Sequence, residues 1–113
     1  NSIIAAFGLM AGVMVSSSGL AATATGTITK LSTCVDNGSY IYAVTVASKT
    51  FHNYVDSASN ASESAFRKNL YATLLSAFQS GKSITIVGSG GDRASVCGDS
   101  VSPASVEITK VVQ

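Results

Sequence analysis

With 113 residues the chain has room for one domain, and its 12% charged residues give a formal net charge of +1. The seven basic residues are scattered, and only Arg67 and Lys68 are adjacent, so the sequence lacks the convergent cations that binding to a nucleic-acid backbone requires. So low a charge content is common in exported bacterial proteins, and it does not fit a disordered tail.

The first 22 residues carry no charge and include an apolar run of 13 residues, from Ile3 to Val15. This run is too short to span a bilayer, which takes about 20 residues. Small residues follow it up to Ala22, and this pattern predicts a secretory signal peptide over residues 1–22, cleaved after Ala21 or Ala22. The alternatives are a retained membrane anchor or a buried hydrophobic helix. We expect a single secreted or periplasmic domain over residues 23–113.

Two strands are predicted at the start of this domain. Thr23 to Thr33 is rich in β-branched residues, and Gly26 within it marks a bulge or a tight bend. Asn37-Gly38 is the strongest turn dipeptide in the chain. Tyr40 to Ala47 then alternates between two fairly apolar faces, as expected for a strand of a closed or doubly covered sheet.

A short third strand, Lys49 to Val55, precedes the one convincing amphipathic helix, Asn60 to Lys82. Asn60 is a suitable N-cap residue, and Gly81 can adopt the left-handed conformation that ends a helix. Large apolar residues recur every fourth position between them and predict a single buried face, formed by Phe66, Leu70, Leu74 and Phe78 with Ala77 beside them.

The remaining chain is predicted as two strands joined by a long loop. Ser83 to Val87 follows the helix almost at once, and Gly88 to Ser102 is a Gly/Ser/Asp-rich loop that contains Cys97. Ala104 to Val112 has the cleanest alternation of apolar and polar residues in the sequence, which predicts the last strand.

Three strands, one helix and two strands follow each other in the order of a five-stranded OB-fold-like Greek-key barrel, a β-rich α+β fold with its helix between strands 3 and 4. Cys34 and Cys97, the two cysteines, fall in connections that this fold brings together, so we expect a disulfide bond between them. Two free thiols or half a metal site are the alternative. Another small α+β domain with the same element order is the alternative fold.

The Gly-containing first strand, the Tyr-rich second strand and the helix that ends in Gln79-Ser80-Gly81-Lys82-Ser83-Ile84 resemble the B subunits of bacterial A–B toxins. These are the pentameric, OB-fold, glycan-binding subunits of the subtilase-cytotoxin and pertussis-like type. The resemblance covers residues 25–111 and implies a glycan-binding oligomer. It also implies that Thr25 corresponds to the hydroxyl residue that those subunits place against sialic acid. Gly88–Gly91 stands where they carry an aromatic-rich stretch.

No enzymatic motif accompanies this pattern. His52 is the only histidine, and without a nucleophile elbow nearby we expect a surface or edge-strand residue rather than a catalytic base. One histidine distant from both cysteines also makes a poor zinc set, so neither a metal nor another cofactor is expected.

Binding has better support, because four aromatic residues fall on the second and third strands, where OB-folds commonly present their ligands. The predicted ligand-binding residues are Thr25, Tyr40, Tyr42, Phe51 and Tyr54. Alternatively, Tyr40 and Tyr42 cap the barrel core.

The leading hypothesis is a secreted, non-catalytic binding module that recognises glycans or another exported protein and forms homo-oligomers. It has no nucleic-acid partner and no membrane span once the signal is removed. A self-assembling surface-fibre subunit or a periplasmic partner-binding protein is the alternative, and a small hydrolase or an enzyme inhibitor is a third.

Overall fold

The computed structural model describes residues 21–36, 38–55 and 61–113 and contains one helix and six strands within them. The elements in chain order are β1 (Ala21–Asp36), β2 (Ser39–Val46), β3 (Lys49–Tyr54), α1 (Ala61–Ser80), β4 (Ser83–Ser89), β5 (Arg93–Val96) and β6 (Asp99–Val112). The predicted signal peptide lies outside the described residues except for Ala21 and Ala22, with which β1 begins.

The strands form a mostly antiparallel sheet in the order β3-β2-β1-β4-β6-β5. In addition, β3 pairs in parallel with β6, where Phe51 lies opposite Val106 and His52 opposite Glu107. The β-rich α+β class and the position of the helix between the third and fourth strands are thereby confirmed. The sheet has six strands rather than the predicted five, and the five-stranded Greek-key barrel stays a prediction.

β1 is long because it pairs with two different strands in succession. Its residues 21–27 pair with β4 and its residues 28–36 pair with β2. The predicted irregularity lies two residues beyond Gly26, because the register with β2 shifts between Ile28 and Lys30. The strand therefore changes direction where it passes from one partner to the other.

Two-residue turns connect the first three strands. Asp36 pairs with Ser39, so the turn falls at the predicted Asn37-Gly38 position, although Asn37 itself lies outside the described residues. The turn between β2 and β3 is formed by Ala47 and Ser48, which have φ angles of 50° and 66°. This left-handed conformation is energetically unfavourable for alanine and serine, because their Cβ atom is crowded, and glycine or asparagine adopts it more easily.

The helix ends as predicted. Gly81 has a φ of 71°, and the amide of Lys82 donates to the carbonyl of Ala77 at 3.1 Å, which is the hydrogen bond of a Schellman cap. The predicted N-cap, Asn60, lies outside the described residues.

The predicted buried face of the helix is too wide. Leu70, Leu74 and Ala77 are buried, whereas Phe66 and Phe78 are 44% and 41% exposed. The reason is geometric, since residues four apart drift by about 40° around a helix of 3.6 residues per turn. Over three such steps the two phenylalanines rotate to opposite flanks of a face whose centre alone packs on the sheet.

The predicted long loop after β4 is wrong. It contains the strand β5 and the start of β6, which form a hairpin through a two-residue turn at Cys97 and Gly98. The register shifts between Arg93 and Ser95. β5 is only four residues long, and Gly, Ser and Asp residues surround it, so the composition of the whole segment resembles that of a loop.

The main core lies between the inner face of the sheet and α1. Fully buried members from the sheet are Tyr42, Val44, Val46, Phe51 and Ile86, which pack with Leu70, Leu74 and Ala77 of the helix. Gly88 sits at the crowded junction of β4 and β6. A Cβ at this position would lie 2.7 Å from the carbonyl oxygen of Glu107 and 2.9 Å from Cγ2 of Val106. Glycine is therefore required where these two strands meet the core.

Candidate functional site

The outer face of the first three strands, opposite the core, carries the candidate site. Directly paired residues of neighbouring antiparallel strands project to the same face. Three rows of paired residues cross this face from β1 through β2 to β3, namely Lys30–Thr45–Thr50, Ser32–Ala43–His52 and Cys34–Ile41–Tyr54. The face thus changes from hydroxyl-rich at one end to apolar at the other.

The β5–β6 hairpin is fastened to this face by three links. The predicted disulfide bond between Cys34 and Cys97 is present, with its Cα atoms 5.6 Å apart. Nζ of Lys30 lies 2.7 Å from Oδ2 of Asp99. The guanidinium of Arg93 pairs in addition with the carboxylate of Asp36. All three links run from the second half of β1 to the hairpin, so the hairpin cannot move away from the face without breaking them.

Two buried apolar residues lie next to the disulfide bond. Ile41 and Val96 are both buried, but neither belongs to the main core cluster. Ile41 lies opposite Cys34 in the sheet, and Val96 precedes Cys97 in the chain. The apolar end of the outer face is therefore buried beside the disulfide bond.

A groove of about 120 Å³ remains between the hydroxyl-rich end of the outer face and the hairpin. We call it the hairpin groove, and it is lined by Lys30, Ser32, Ala43, Thr45, Thr50, Val96, Asp99, Ser100 and Val101. Four of these residues carry hydroxyl groups, and Oγ1 of Thr45 lies 3.4 Å from Oγ1 of Thr50. Hydroxyl groups both donate and accept hydrogen bonds, so the groove suits a ligand that is itself rich in hydroxyl groups.

A second cavity, of about 160 Å³, shares the lining residue Thr50 with the hairpin groove. Its other lining residues are Ala21, Ala22, Lys49, Pro103, Ala104 and Val106, most of which are apolar. Nζ of Lys49 donates to the backbone carbonyl of Thr23 at 3.0 Å. The ammonium group of this lysine is therefore held at the edge of the sheet by a neutral acceptor.

His52 is buried in β3, which pairs with both β2 and β6, whereas the prediction was a surface or edge-strand residue. It is 1% exposed, and its Nδ1 lies 2.7 Å from Oγ of the fully buried Ser105. Burial lowers the pKa of His52 to about 4, the positive charge of Arg93 acts in the same direction, and Asp92 opposes both. The imidazole is therefore held in its neutral form, hydrogen-bonded to a buried hydroxyl group.

Of the five predicted ligand-binding residues, two belong to the core. Tyr42 and Phe51 are fully buried, and the Tyr42 ring packs on Tyr71 with a centroid distance of 5.1 Å. Among the described residues, the Tyr42 hydroxyl is the one buried side-chain polar atom without a hydrogen-bond partner. Burial raises its pKa well above the usual range. The structure thus places Tyr42, including its hydroxyl group, in the core.

The other three predicted ligand-binding residues are accessible but dispersed. Thr25 lies on the first half of β1 and its Oγ1 is 2.8 Å from Oγ1 of Thr85. Tyr40 is 56% exposed at the start of β2. Tyr54 is half-buried, with the guanidinium of Arg67 5.2 Å from its ring centre. None of these residues lines the hairpin groove.

The sequence does not predict the groove, because its residues come from five strands and because Asp99 and Ser100 fall in the segment predicted as a loop. One signal did point to it. Lys30 and Ser32 flank the apolar Leu31 in β1, and Thr45 lies between Val44 and Val46 in β2, which indicates polar positions on the face opposite the core.

The described segments contain no helix that is long and apolar enough to cross a membrane. Within the same segments, His, Cys, Asp and Glu form no cluster of three or more that is suited to a metal ion. Comparisons of the chain with known protein families, with characterised proteins and with solved structures find no match.

Proposed function

We propose that this chain is an exported, non-catalytic module that recognises glycans in the hairpin groove. The observation that carries the proposal is the concentration of four hydroxyl side chains and one ion pair in a groove whose wall is fastened by a disulfide bond. Sugars present many hydroxyl groups, and each of them can exchange hydrogen bonds with such a lining. A preformed wall lowers the entropic cost of binding.

We further propose that the sheet is an OB-like barrel of the kind found in the toxin B subunits that the sequence resembles. The pairings of β1 with both β2 and β4, of β4 with β6, and of β3 with β6 in parallel support this proposal. On this view β5 is an extra strand in the last connection, and the groove lies on the side where OB-folds bind their ligands. The disulfide bond supports export, since such bonds persist in oxidising compartments.

A glycan array probed with the purified protein at high micromolar concentration tests the function. We expect binding to a subset of glycans, and Ser100→Trp should reduce it by at least about tenfold because the indole ring would fill the groove. Thr27→Trp is the matched control, since Thr27 is an exposed hydroxyl residue of β1 outside the groove. No binding by the unmodified protein, or equal loss in both variants, would contradict the proposal.

One observation favours self-assembly as a second function. Val35 and Tyr40 lie opposite each other on β1 and β2 and are 62% and 56% exposed. Exposed apolar residues that adjoin each other are candidates for protein contacts. Sedimentation velocity of the unmodified protein and of the Val35→Ser/Tyr40→Ser double variant tests this. An oligomer that dissociates in the variant supports assembly through this pair, and a monomer in both cases rejects it.

A further inference from the structure

The two charges that line the hairpin groove are matched within the protein. Lys30 and Asp99 are the two charged residues among those that line the groove, and they are 2.7 Å apart. Their side chains are 58% and 55% exposed, so a ligand in the groove can reach both. Together they present one donor group and one acceptor group side by side, with no net charge.

The two cations next to the groove also have partners. Arg93, on the hairpin, pairs with Asp36 of β1. Lys49, which lines the adjoining cavity, donates to the carbonyl of Thr23. An anionic ligand would therefore find no unmatched positive charge among the residues that line the groove, because Lys49, whose partner is a neutral carbonyl, lines the second cavity instead. It would have to displace Asp99 from Lys30 and then lie beside the displaced carboxylate.

From these contacts we propose that the ligand of the groove is a neutral sugar, and that Asp99 sets this preference by neutralising Lys30. The inference rests on the proposed glycan-binding function and specifies its ligand. Adjacent hydroxyl groups of a neutral sugar ring suit the pair, because one accepts a hydrogen bond from the Lys30 ammonium and the other donates to the Asp99 carboxylate. A carboxylate-bearing sugar repels Asp99, since like charges in close contact are unfavourable.

The test compares neutral glycans with acidic counterparts that differ by one carboxylate, such as a hexoside against its uronic acid. The best neutral ligand on the array and its acidic counterpart are titrated calorimetrically into three proteins, the unmodified chain, Asp99→Asn and Asp36→Asn. The two substitutions each remove one carboxylate from an ion pair between β1 and the hairpin. Only the first of them changes the groove.

We expect the unmodified protein and Asp36→Asn to prefer the neutral glycan. Asp99→Asn should shift the ratio of the two affinities toward the acidic glycan by about tenfold, because it leaves the Lys30 charge to the ligand. Raising the salt concentration should reduce this gain, as expected for an exposed charge contact. Lys30→Gln should retain the preference for the neutral glycan, and it provides a second variant if Asp99→Asn does not fold.

A preference of the unmodified protein for the acidic glycan would overturn the inference while leaving glycan binding intact. An unchanged affinity ratio in Asp99→Asn would overturn it as well. If no glycan on the array binds at all, the proposed function fails and this inference fails with it.

Discussion

Nδ1 of His52 lies 2.7 Å from Oγ of Ser105, and the two side chains are buried where the parallel pairing joins β3 to β6. The hydrogen bond connects residues 53 positions apart in the sequence and belongs to the outer face, beside the segment that leads into the hairpin. Because the imidazole has almost no contact with solvent, its protonation is coupled to the stability of this junction.

The first prediction concerns the loss of folding stability at acidic pH. Since the pKa of His52 is about 4 in the folded protein and about 6.5 when exposed, the unfolded chain binds the proton more strongly between these values. The stabilisation that comes from burying His52 in its neutral form is therefore complete above pH 6.5, and it is lost as the pH falls toward 4. We expect the free energy of unfolding to decrease by about 2 kcal/mol between pH 7 and pH 5.

Urea titrations of the unmodified protein and of His52→Gln across this pH range measure the effect. The glutamine variant should be less stable at pH 7 but should show a much flatter pH dependence. An equal slope in the two proteins would assign the acid sensitivity to other groups.

A second prediction concerns Gly88. Replacing it with alanine introduces a Cβ 2.7 Å from the carbonyl oxygen of Glu107 and 3.1 Å from Cδ2 of Phe51, both parts of the packed interior. Backbone and core must move to accept it, so we expect a loss of about 2–3 kcal/mol in the free energy of unfolding. Ser89→Ala, at the exposed neighbouring position, should change stability by less than about 0.5 kcal/mol. Equal stability of the two variants would show that the junction of β4 and β6 is looser than its contacts indicate.

A third prediction is a stabilising change in the turn between β2 and β3. Ala47 and Ser48 both have left-handed backbone angles, for which asparagine and glycine are the preferred residues of a two-residue hairpin. The double substitution Ala47→Asn/Ser48→Gly should raise the free energy of unfolding by about 1–2 kcal/mol. Thermal unfolding measures it directly, and an unchanged or lower midpoint would contradict the strain assigned to this turn.

The fourth prediction concerns the disulfide bond, which closes a loop across 63 positions. On the chain-entropy view, Cys34→Ser/Cys97→Ser should lower the free energy of unfolding by roughly 4 kcal/mol. Backbone amides of β5 should also exchange with solvent faster, because two of the three links between the hairpin and β1, the ion pairs, then remain. Hydrogen exchange tests this locally, with the amides of β4 as the internal reference. Equal protection of β5 in both proteins would show that the ion pairs and Val96 suffice.

The elements that local patterns specify were predictable. The helix has a four-residue apolar spacing and a glycine at its end, and the turn at Asn37-Gly38 has the dipeptide that favours it. The disulfide bond followed from two cysteines in an expected exported domain. The interactions that determine the helix end and the turn lie within a few residues of each other. For the disulfide bond, two cysteines allow a single pairing within the chain.

The missed features depend on contacts between distant residues. The sequence predicts His52 as a surface or edge-strand residue, because no residue close to it in the chain indicates a hydrogen bond to Ser105. Tyr42 and Phe51 suit a binding face by composition, but the face that they occupy is covered by the helix. The strand β5 is only four residues long, and it is held mainly by pairing with β6 and by its links to β1. Tertiary contacts thus determine both the hairpin and the groove beneath it.

The sulfur bridge has one consequence for the covalent integrity of the molecule. Every peptide bond from Cys34 to Cys97 lies inside the ring that it closes, including those of the helix and of β4. A protease that cuts once within this ring, for example after Lys82, opens the backbone without separating the pieces. The two fragments of such a nicked molecule stay covalently joined until a reductant cleaves the disulfide bond, so in an oxidising environment they do not separate.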